Sequence, residues 1–281
     1  MTKKDERSLF DDDDQAPQGP STESAETNAR KSEKNTRISR NLYELSVPDT
    51  IFAIKQSATC NSLAELRDRL SKDLPQNSAE TRVQSARFII RRFFPDGLNG
   101  IARRSWVTYL DDHIALDILR YLYLANETIA GSCIADCLFP VEIGMRIPTT
   151  LFDRFLAGCY AETPLKKTGQ RLKANLVKLG FLEASADHDH FLMPIAPSKT
   201  TLLILTHNLF APNGPRTIEL KRLFANPFWK YLGYKSEDDV RTVFREADAA
   251  GFLGKYVVAD QLEQITTRWG LDEFLSNQPR L

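Results

Sequence analysis

One stretch of the sequence, from Leu165 to Ile195, limits the possible folds more than any other. Leucines at helical spacing fill its first half, and Gly180 follows where a left-handed residue commonly ends a helix. Two short apolar runs then flank a polar segment at 184–190. This order predicts the recognition helix and wing of a winged helix-turn-helix. The pattern is not unique to that fold, because many helices end in glycine and continue into a hairpin.

The same order occurs a second time in the chain. Residues 172–184 and 243–255 each combine a helix, a Gly-Phe-Leu sequence and a polar or strand-like continuation, and residues 86–97 form a looser copy. The repetition predicts a mainly α fold of tandem winged helix-turn-helix modules with short β-wings. Ordinary helix capping could also have produced Gly-Phe-Leu twice. Around the copies, periodicity predicts single helices over 103–124 and 218–224 and a strand over 255–258.

Composition and helix boundaries divide the chain into four parts. Residues 1–41 are polar and charged, which predicts a disordered tail that either solubilises the protein or follows a phosphate backbone through its basic block. Residues 42–125 are predicted to form an N-terminal helical, helix-turn-helix-like domain. Residues 126–197 are predicted to form a winged-helix module, and residues 198–281 a second winged-helix-like module.

Charge and cysteine content argue against several classes of protein. Lysine plus arginine equals aspartate plus glutamate, at 37 each, so a histone-like or ribosomal protein is not expected. The four cysteines lack CxxC spacing, which favours buried free thiols in a reducing compartment over a metal site. The N-terminus lacks a signal-peptide core, and the apolar stretch at 201–210 is too short for a bilayer. We therefore expect a soluble, cytoplasmic protein with no membrane contact.

Motifs for catalysis or cofactor binding are missing from the sequence. It contains no GxxxxGK[ST] phosphate loop, no GxGxxG after a strand, no HExxH and no GxSxG. His188 and His190 resemble a metal-binding tract, but their place at the expected wing tip predicts solvent-facing turn residues. The sequence thus predicts a protein without enzymatic activity, metal or cofactor, although it does not exclude an enzyme.

Basic residues in the predicted recognition helix point to nucleic acid. The second helix of a helix-turn-helix reads base edges with its N-terminal residues, while flanking lysines and arginines contact phosphates. Glutamine pairs with adenine and arginine with guanine. Double-stranded DNA is the predicted partner, and the alternative is a winged helix that docks a protein. The candidate DNA-binding residues are Lys166, Lys167, Thr168, Gln170, Arg171, Lys173 and Lys178 in this helix, with Arg82, Arg87 and Arg91 in an earlier arginine-rich helix.

An arginine-rich helix, a helical middle section and the sequence LKKTGQRLKANLVKLGFLEA follow one another between about Thr81 and Ile195. In overall pattern this run resembles the small, all-helical BrxA family of BREX phage-resistance systems. The resemblance implies a tandem helix-turn-helix DNA-binding protein without enzymatic activity, which works beside larger defence proteins. The long charged tail departs from that family's pattern. A docking adaptor within a larger complex, or a transcriptional regulator, is the alternative.

Overall fold

Helices form most of the chain in the computed structural model, which describes residues 42–159, 166–260 and 262–281. The predicted disordered tail, residues 1–41, lies outside the described residues. Serine side chains begin the first three helices, since Ser46, Ser62 and Ser78 each accept a hydrogen bond from the backbone N–H three residues later. These first helices are α1 (Val47–Ser57), α2 (Leu63–Asp73) and α3 (Ala79–Phe93).

The prediction of one helix over 103–124 is wrong, because two helices occupy this region. After the short 3-10 turn Gly97–Asn99 come α4 (Ile101–Tyr109) and α5 (Asp112–Asn126). Leu110 between them has a positive φ of 49°. Asp111 then caps α5, since its carboxylate accepts hydrogen bonds from the backbone N–H groups of His113 (2.9 Å) and Ile114 (3.2 Å). The apolar pattern continues across this point without a break. The capping aspartate nevertheless starts a new helix here.

The middle of the chain continues from α6 (Thr128–Ser132) directly into a π-helical turn, Cys133–Leu138. Strand β1 (Arg146–Ile147) comes next, followed by α7 (Thr149–Cys159) and α8 (Lys166–Lys178). Strands β2 (Leu182–Ala184) and β3 (His190–Leu192) form a hairpin. The three strands make an antiparallel sheet in the order β1-β3-β2, with Arg146 opposite Phe191.

The last third repeats this arrangement of elements. A helix, α9 (Lys199–Phe210), leads to β4 (Thr217–Glu219), then to the short helices α10 (Leu220–Phe224) and α11 (Phe228–Tyr231) and to α12 (Glu237–Ala249). Strands β5 (Leu253–Ala259) and β6 (Leu262–Thr267) complete a sheet in the order β4-β6-β5, and α13 (Leu271–Asn277) follows. The predicted helix over 218–224 is thus partly wrong, because its first two residues belong to β4.

Two glycines end the corresponding helices α8 and α12 in the same way. Gly180 and Gly251 have φ values of 82° and 74°, which side chains rarely adopt. The next residue donates its backbone N–H to the carbonyl five positions earlier, from Phe181 to Leu176 (3.0 Å) and from Phe252 to Ala247 (2.8 Å). Both ends are Schellman motifs, and both lead into the first strand of a hairpin.

A lysine from the last third holds the end of the π-helical turn. The Nζ atom of Lys235 donates to the carbonyl oxygens of Leu138 (3.1 Å), Phe139 (2.6 Å) and Val141 (2.8 Å). The Leu138 carbonyl also accepts from the Val141 N–H at 3.1 Å, so the ammonium acts as a capping group mainly for the carbonyls of Phe139 and Val141. Burial lowers the pKa of Lys235. The contact ties the middle of the chain to its last third.

One hydrophobic core runs through the described residues, from Leu42 to Leu275. This core spans the predicted domain boundaries at 125/126 and 197/198. The division into domains therefore stays a prediction about how the helices and strands group along the chain. Cys60 and Cys133 are buried, all four cysteines are free, and no cluster of metal-binding side chains occurs in the described ranges. Across those same ranges, no helix combines the length and apolar composition needed to cross a bilayer.

Candidate functional site

Helix α8 presents an edge of basic and polar side chains to solvent. Leu172 and Leu176 are buried on its inner side, whereas Lys166, Lys167 and Gln170 are exposed at its first turns. Thr168 and Lys173 are half-buried. The helix contains five lysines or arginines and no acidic residue, a formal charge of +5. The N-terminus of a helix already carries a partial positive charge from the helix dipole. The lysines at the first turn add to it, so an anion would be stabilised at this edge.

A second face of α8 is occupied by the chain's own N-terminal segment, residues 42–45. Asn175 is fully buried; its Oδ1 accepts from the Leu45 N–H (2.9 Å), and its Nδ2 donates to the carbonyl of Tyr43 (2.8 Å). Arg171 donates to the carbonyl of Leu42 (2.9 Å). Lys178 pairs with Glu44 at 2.6 Å, and this pairing lowers the pKa of Glu44. Arg171 and Lys178 therefore already have partners inside the fold.

Asp117 fixes the C-terminal end of α8 from the neighbouring helix α5. Its buried carboxylate accepts from the Arg120 guanidinium (2.7 Å) and from the Ser198 backbone N–H (2.8 Å). Arg120 in turn donates to the carbonyl of Leu179, at 2.8 Å. Burial raises the pKa of Asp117, and its two donors oppose that shift. The network joins α5, the end of α8 and the start of α9, so it fixes the C-terminal end of the helix that carries the basic edge.

The hairpin that follows α8 carries acidic rather than basic side chains at its tip. Asp187 and Asp189 pair with Arg146 of β1 at 3.4 and 2.7 Å, and Asp189 also accepts from the Thr149 N–H that begins α7. His188 is exposed in the turn, as expected. The same expectation is wrong for the next histidine of the tract.

His190 is buried in β3 and does not lie in the turn of the hairpin. The residue is 8% exposed, and its ring meets the ring of Phe152 edge-on, with centroids 6.0 Å apart. The residue belongs to β3, whose alternation turns this side chain inward. Burial, together with the charge of Lys173 nearby, lowers the pKa of His190. The His190 side chain is thus part of the packed interior beneath α8.

The three arginines predicted in α3 have different surroundings. Arg82 is half-buried and donates to the carbonyls of Ser71 (3.0 Å) and Gln76 (2.8 Å), so it joins α3 to the end of α2. Arg87 and Arg91 are exposed. Helices α3 and α8 meet through the segment 43–49, since residues of both line one groove beside it. The structure therefore brings α3 and α8 to one groove, but none of the three predicted arginines of α3 lines it.

Helix α12 occupies the place of α8 in the last third but has the opposite charge. It contains five acidic residues and two arginines, a formal charge of −3. Arg241 is bound to Glu237 (2.9 Å), Asp238 (3.0 Å) and Glu263 (2.9 Å), so its charge is neutralised within the module. A surface of this sign repels phosphates. Only the first of the two similar arrangements thus offers a basic helix.

Several residues that shape this site were not singled out by the sequence. Asn175 and Asp117 have long-range backbone partners that the sequence does not indicate. Asn175 does leave one signal, because it falls on the apolar face marked by Leu172, Leu176 and Leu179. A polar residue at such a position must be hydrogen-bonded when it is buried. Tyr43, which lines a groove beside α8, gives no comparable signal.

Comparison with known proteins gives a likeness of fold. No protein-family model matches the sequence, and no curated protein matches it either. A crystal structure of SspB is similar over 84% of each chain, with a TM-score of 0.55 and 14% identity. A magnesium-ion-bound crystal structure of SspB has a TM-score of 0.48 and 12% identity over the same shares. The first of these likenesses indicates a shared fold and says nothing about activity.

Proposed function

We propose that the protein binds double-stranded DNA through the exposed edge of α8, formed by Lys166, Lys167 and Gln170. The observation that carries this proposal is the set of five basic side chains in α8, a helix without an acidic residue, whose first turns face solvent. Lysines there suit phosphates, and a glutamine amide suits the edge of adenine. Arg171, which donates to a neutral carbonyl, adds its charge to this edge, whereas the charge of Lys178 is balanced by Glu44.

The order of elements supports a winged helix as the scaffold for this contact. Helix α7 precedes α8, and the hairpin β2-β3 joins β1 in a three-stranded antiparallel sheet. In this arrangement α8 is the recognition helix, which enters the major groove with its N-terminal residues. The second arrangement, built around α12, supports a tandem winged-helix protein. The pattern-level resemblance to BrxA proteins supports a non-enzymatic role beside other proteins of a prokaryotic phage-defence system.

Fluorescence anisotropy of a labelled duplex, measured with the full chain at low and moderate salt, tests the proposal. Exchange of Lys166 and Lys167 for alanine should weaken binding by at least about tenfold at low salt. It should also lower the slope of log affinity against log salt concentration by about two, because each lysine releases about one counterion. A double variant of Lys221 and Lys255, two exposed lysines in the last third, is the matched control. Binding without salt dependence, or equal losses in both double variants, would refute DNA contact through α8.

Docking of a protein is the second candidate function, and the charge of α12 favours it for the last third. Glu237, Asp238 and Asp239 form the first turn of this helix, and Val258 and Leu262 are exposed on the hairpin beyond it. Acidic and apolar side chains suit a protein partner better than a polyanion. Co-purification of a second protein that is lost when the three acids become glutamine or asparagine, with duplex binding retained, would support this role.

A further inference from the structure

A groove of about 960 Å³ lies between the N-terminal segment and α3, beside the basic edge of α8. One wall is the segment 43–49, and the other is the face of α3 that carries Thr81, Gln84, Ser85 and Phe88. The volume is in the range of pockets that hold small ligands. Arg171 and Lys178 close the side toward α8. The groove thus opens one helical turn from Lys167, since Arg171 follows it by four residues.

Aromatic side chains line the mouth of this groove. Tyr43 is 53% exposed, although it belongs to a segment whose backbone is tightly held by α8. Its ring lies 5.2 Å from that of Phe88, and the guanidinium of Arg92 is 3.9 Å from the centroid of the Phe88 ring. Arg92 is itself paired with Glu127. A fixed backbone under an exposed ring makes a rigid stacking surface.

The charges that line the groove balance one another. Lys178 is paired with Glu44, Arg171 is bound to a carbonyl, and Asp49 accepts from the Gln76 amide at 2.7 Å. The lining therefore offers little net charge, together with the hydroxyl of Ser85 and the amide of Gln84. Such a site suits a flat, uncharged, hydrogen-bonding ring better than a phosphate.

We propose that this groove holds a single unpaired nucleobase of the bound nucleic acid, stacked on Tyr43. The inference rests on the proposed function, because the phosphates beside that base would lie along Lys166 and Lys167. Aromatic stacking is tolerant of base identity, and the amide of Gln84 suits an adenine edge. The groove would thus favour a duplex in which one nucleotide has left the stack.

Two labelled duplexes of the same sequence test the inference, one fully paired and one with a single extra 2-aminopurine nucleotide at its centre. The full chain should bind the second duplex about tenfold more tightly, and the 2-aminopurine fluorescence should be quenched when it stacks on the tyrosine ring. Tyr43→Leu keeps an apolar contact with Phe88 but removes the π-face. It should abolish both the preference and the quenching, while affinity for the paired duplex changes less than about twofold. Tyr43→Phe retains the ring and should behave like the unchanged protein.

The outcomes separate the two proposals. Equal affinity for both duplexes, or a preference and quenching that persist in Tyr43→Leu, overturns the groove assignment and leaves DNA binding by α8 in place. Salt-independent or absent binding of both duplexes overturns both. Thermal melting of each variant shows whether it folds, and the Tyr43→Phe variant supplies the folded comparison.

Discussion

His207 is buried in the middle of α9, where its ring stacks on that of Phe274 with centroids 4.0 Å apart. Its Nδ1 lies 2.8 Å from the carbonyl oxygen of Leu203, so the neutral ring donates from that atom. The Nε2 atom is buried without a hydrogen-bond partner. A proton at Nε2 would place an unsolvated charge in the core, and burial accordingly lowers the pKa of His207 to about 4.

This histidine should make the protein less stable in mild acid. The unfolded chain binds the proton near pH 6.5 and the folded chain only near pH 4, so stability is complete above pH 6.5 and falls as the pH drops between these values. The loss should be on the order of 3 kcal/mol by pH 4. Urea unfolding of the wild type and of His207→Phe, at pH 7 and pH 4.5, measures it. Equal losses in both proteins would assign the acid sensitivity to other groups.

Single basic residues illustrate what the sequence can and cannot predict. Exposure of Lys166, Lys167 and Gln170 follows from helical periodicity, which is a local property. The partners of Arg171 and Lys178 lie 129 and 134 positions away in the sequence. Such pairs form only when the chain has folded. Periodicity alone therefore could not distinguish the basic residues that are free to face solvent from Arg171 and Lys178, which hold the N-terminal segment.

At the scale of elements, a glycine that ends a helix can be compared with a glycine inside a helix in a test of stability. Gly251→Ala should lower the free energy of unfolding by about 1 kcal/mol, because the left-handed backbone conformation at this position is unfavourable for alanine. Gly158→Ala should instead raise it by about 0.5 kcal/mol, since Gly158 lies in α7 and no atom of the described residues comes within 4 Å of an added Cβ. Chemical denaturation of both variants gives the comparison. A stabilised Gly251→Ala would contradict the Schellman assignment at the end of α12.

The helices and hairpins that the sequence predicts are those with local signals. Capping serines, the Gly-Phe-Leu sequences and the apolar spacing of α2, α3, α8 and α12 lie within a few residues of the structure they specify. Strands β1 and β4, by contrast, have two and three residues. They exist because β3 and β6 offer an edge, and no pattern within two or three residues can indicate a distant partner strand.

At the scale of the whole molecule, the Lys235 contact should be a large contributor to stability. Lys235→Met keeps most of the side-chain volume but removes the ammonium that donates to the carbonyls of Phe139 and Val141, and the Leu138 carbonyl keeps only the Val141 N–H. We expect a loss of about 2 kcal/mol in the free energy of unfolding. Lys255→Met, at an exposed position of β5, should change it by less than about 0.5 kcal/mol. Equal effects of the two substitutions in urea titrations would show that the capping contact contributes little.

The mainly helical class could be predicted for the whole chain, but the way its parts share one core could not. Asp117 binds Ser198, which lies 81 positions later, and Lys235 reaches back 94 to 97 positions. Contacts of this separation join the predicted parts across the boundaries that composition indicates. Composition changes record solvent exposure along the chain, whereas the core is assembled from segments far apart in it.

The opposite charges of α8 and α12 have a consequence for how the molecule would meet a polyanion. A chain with no net charge is not drawn toward DNA from afar, and at physiological salt individual charges are felt only within about 8 Å. Inside that distance, a polyanion is attracted by the basic α8 and repelled by the acidic α12. If the protein binds DNA as proposed, encounters that bring α8 toward the duplex would be favoured over those that bring α12 toward it.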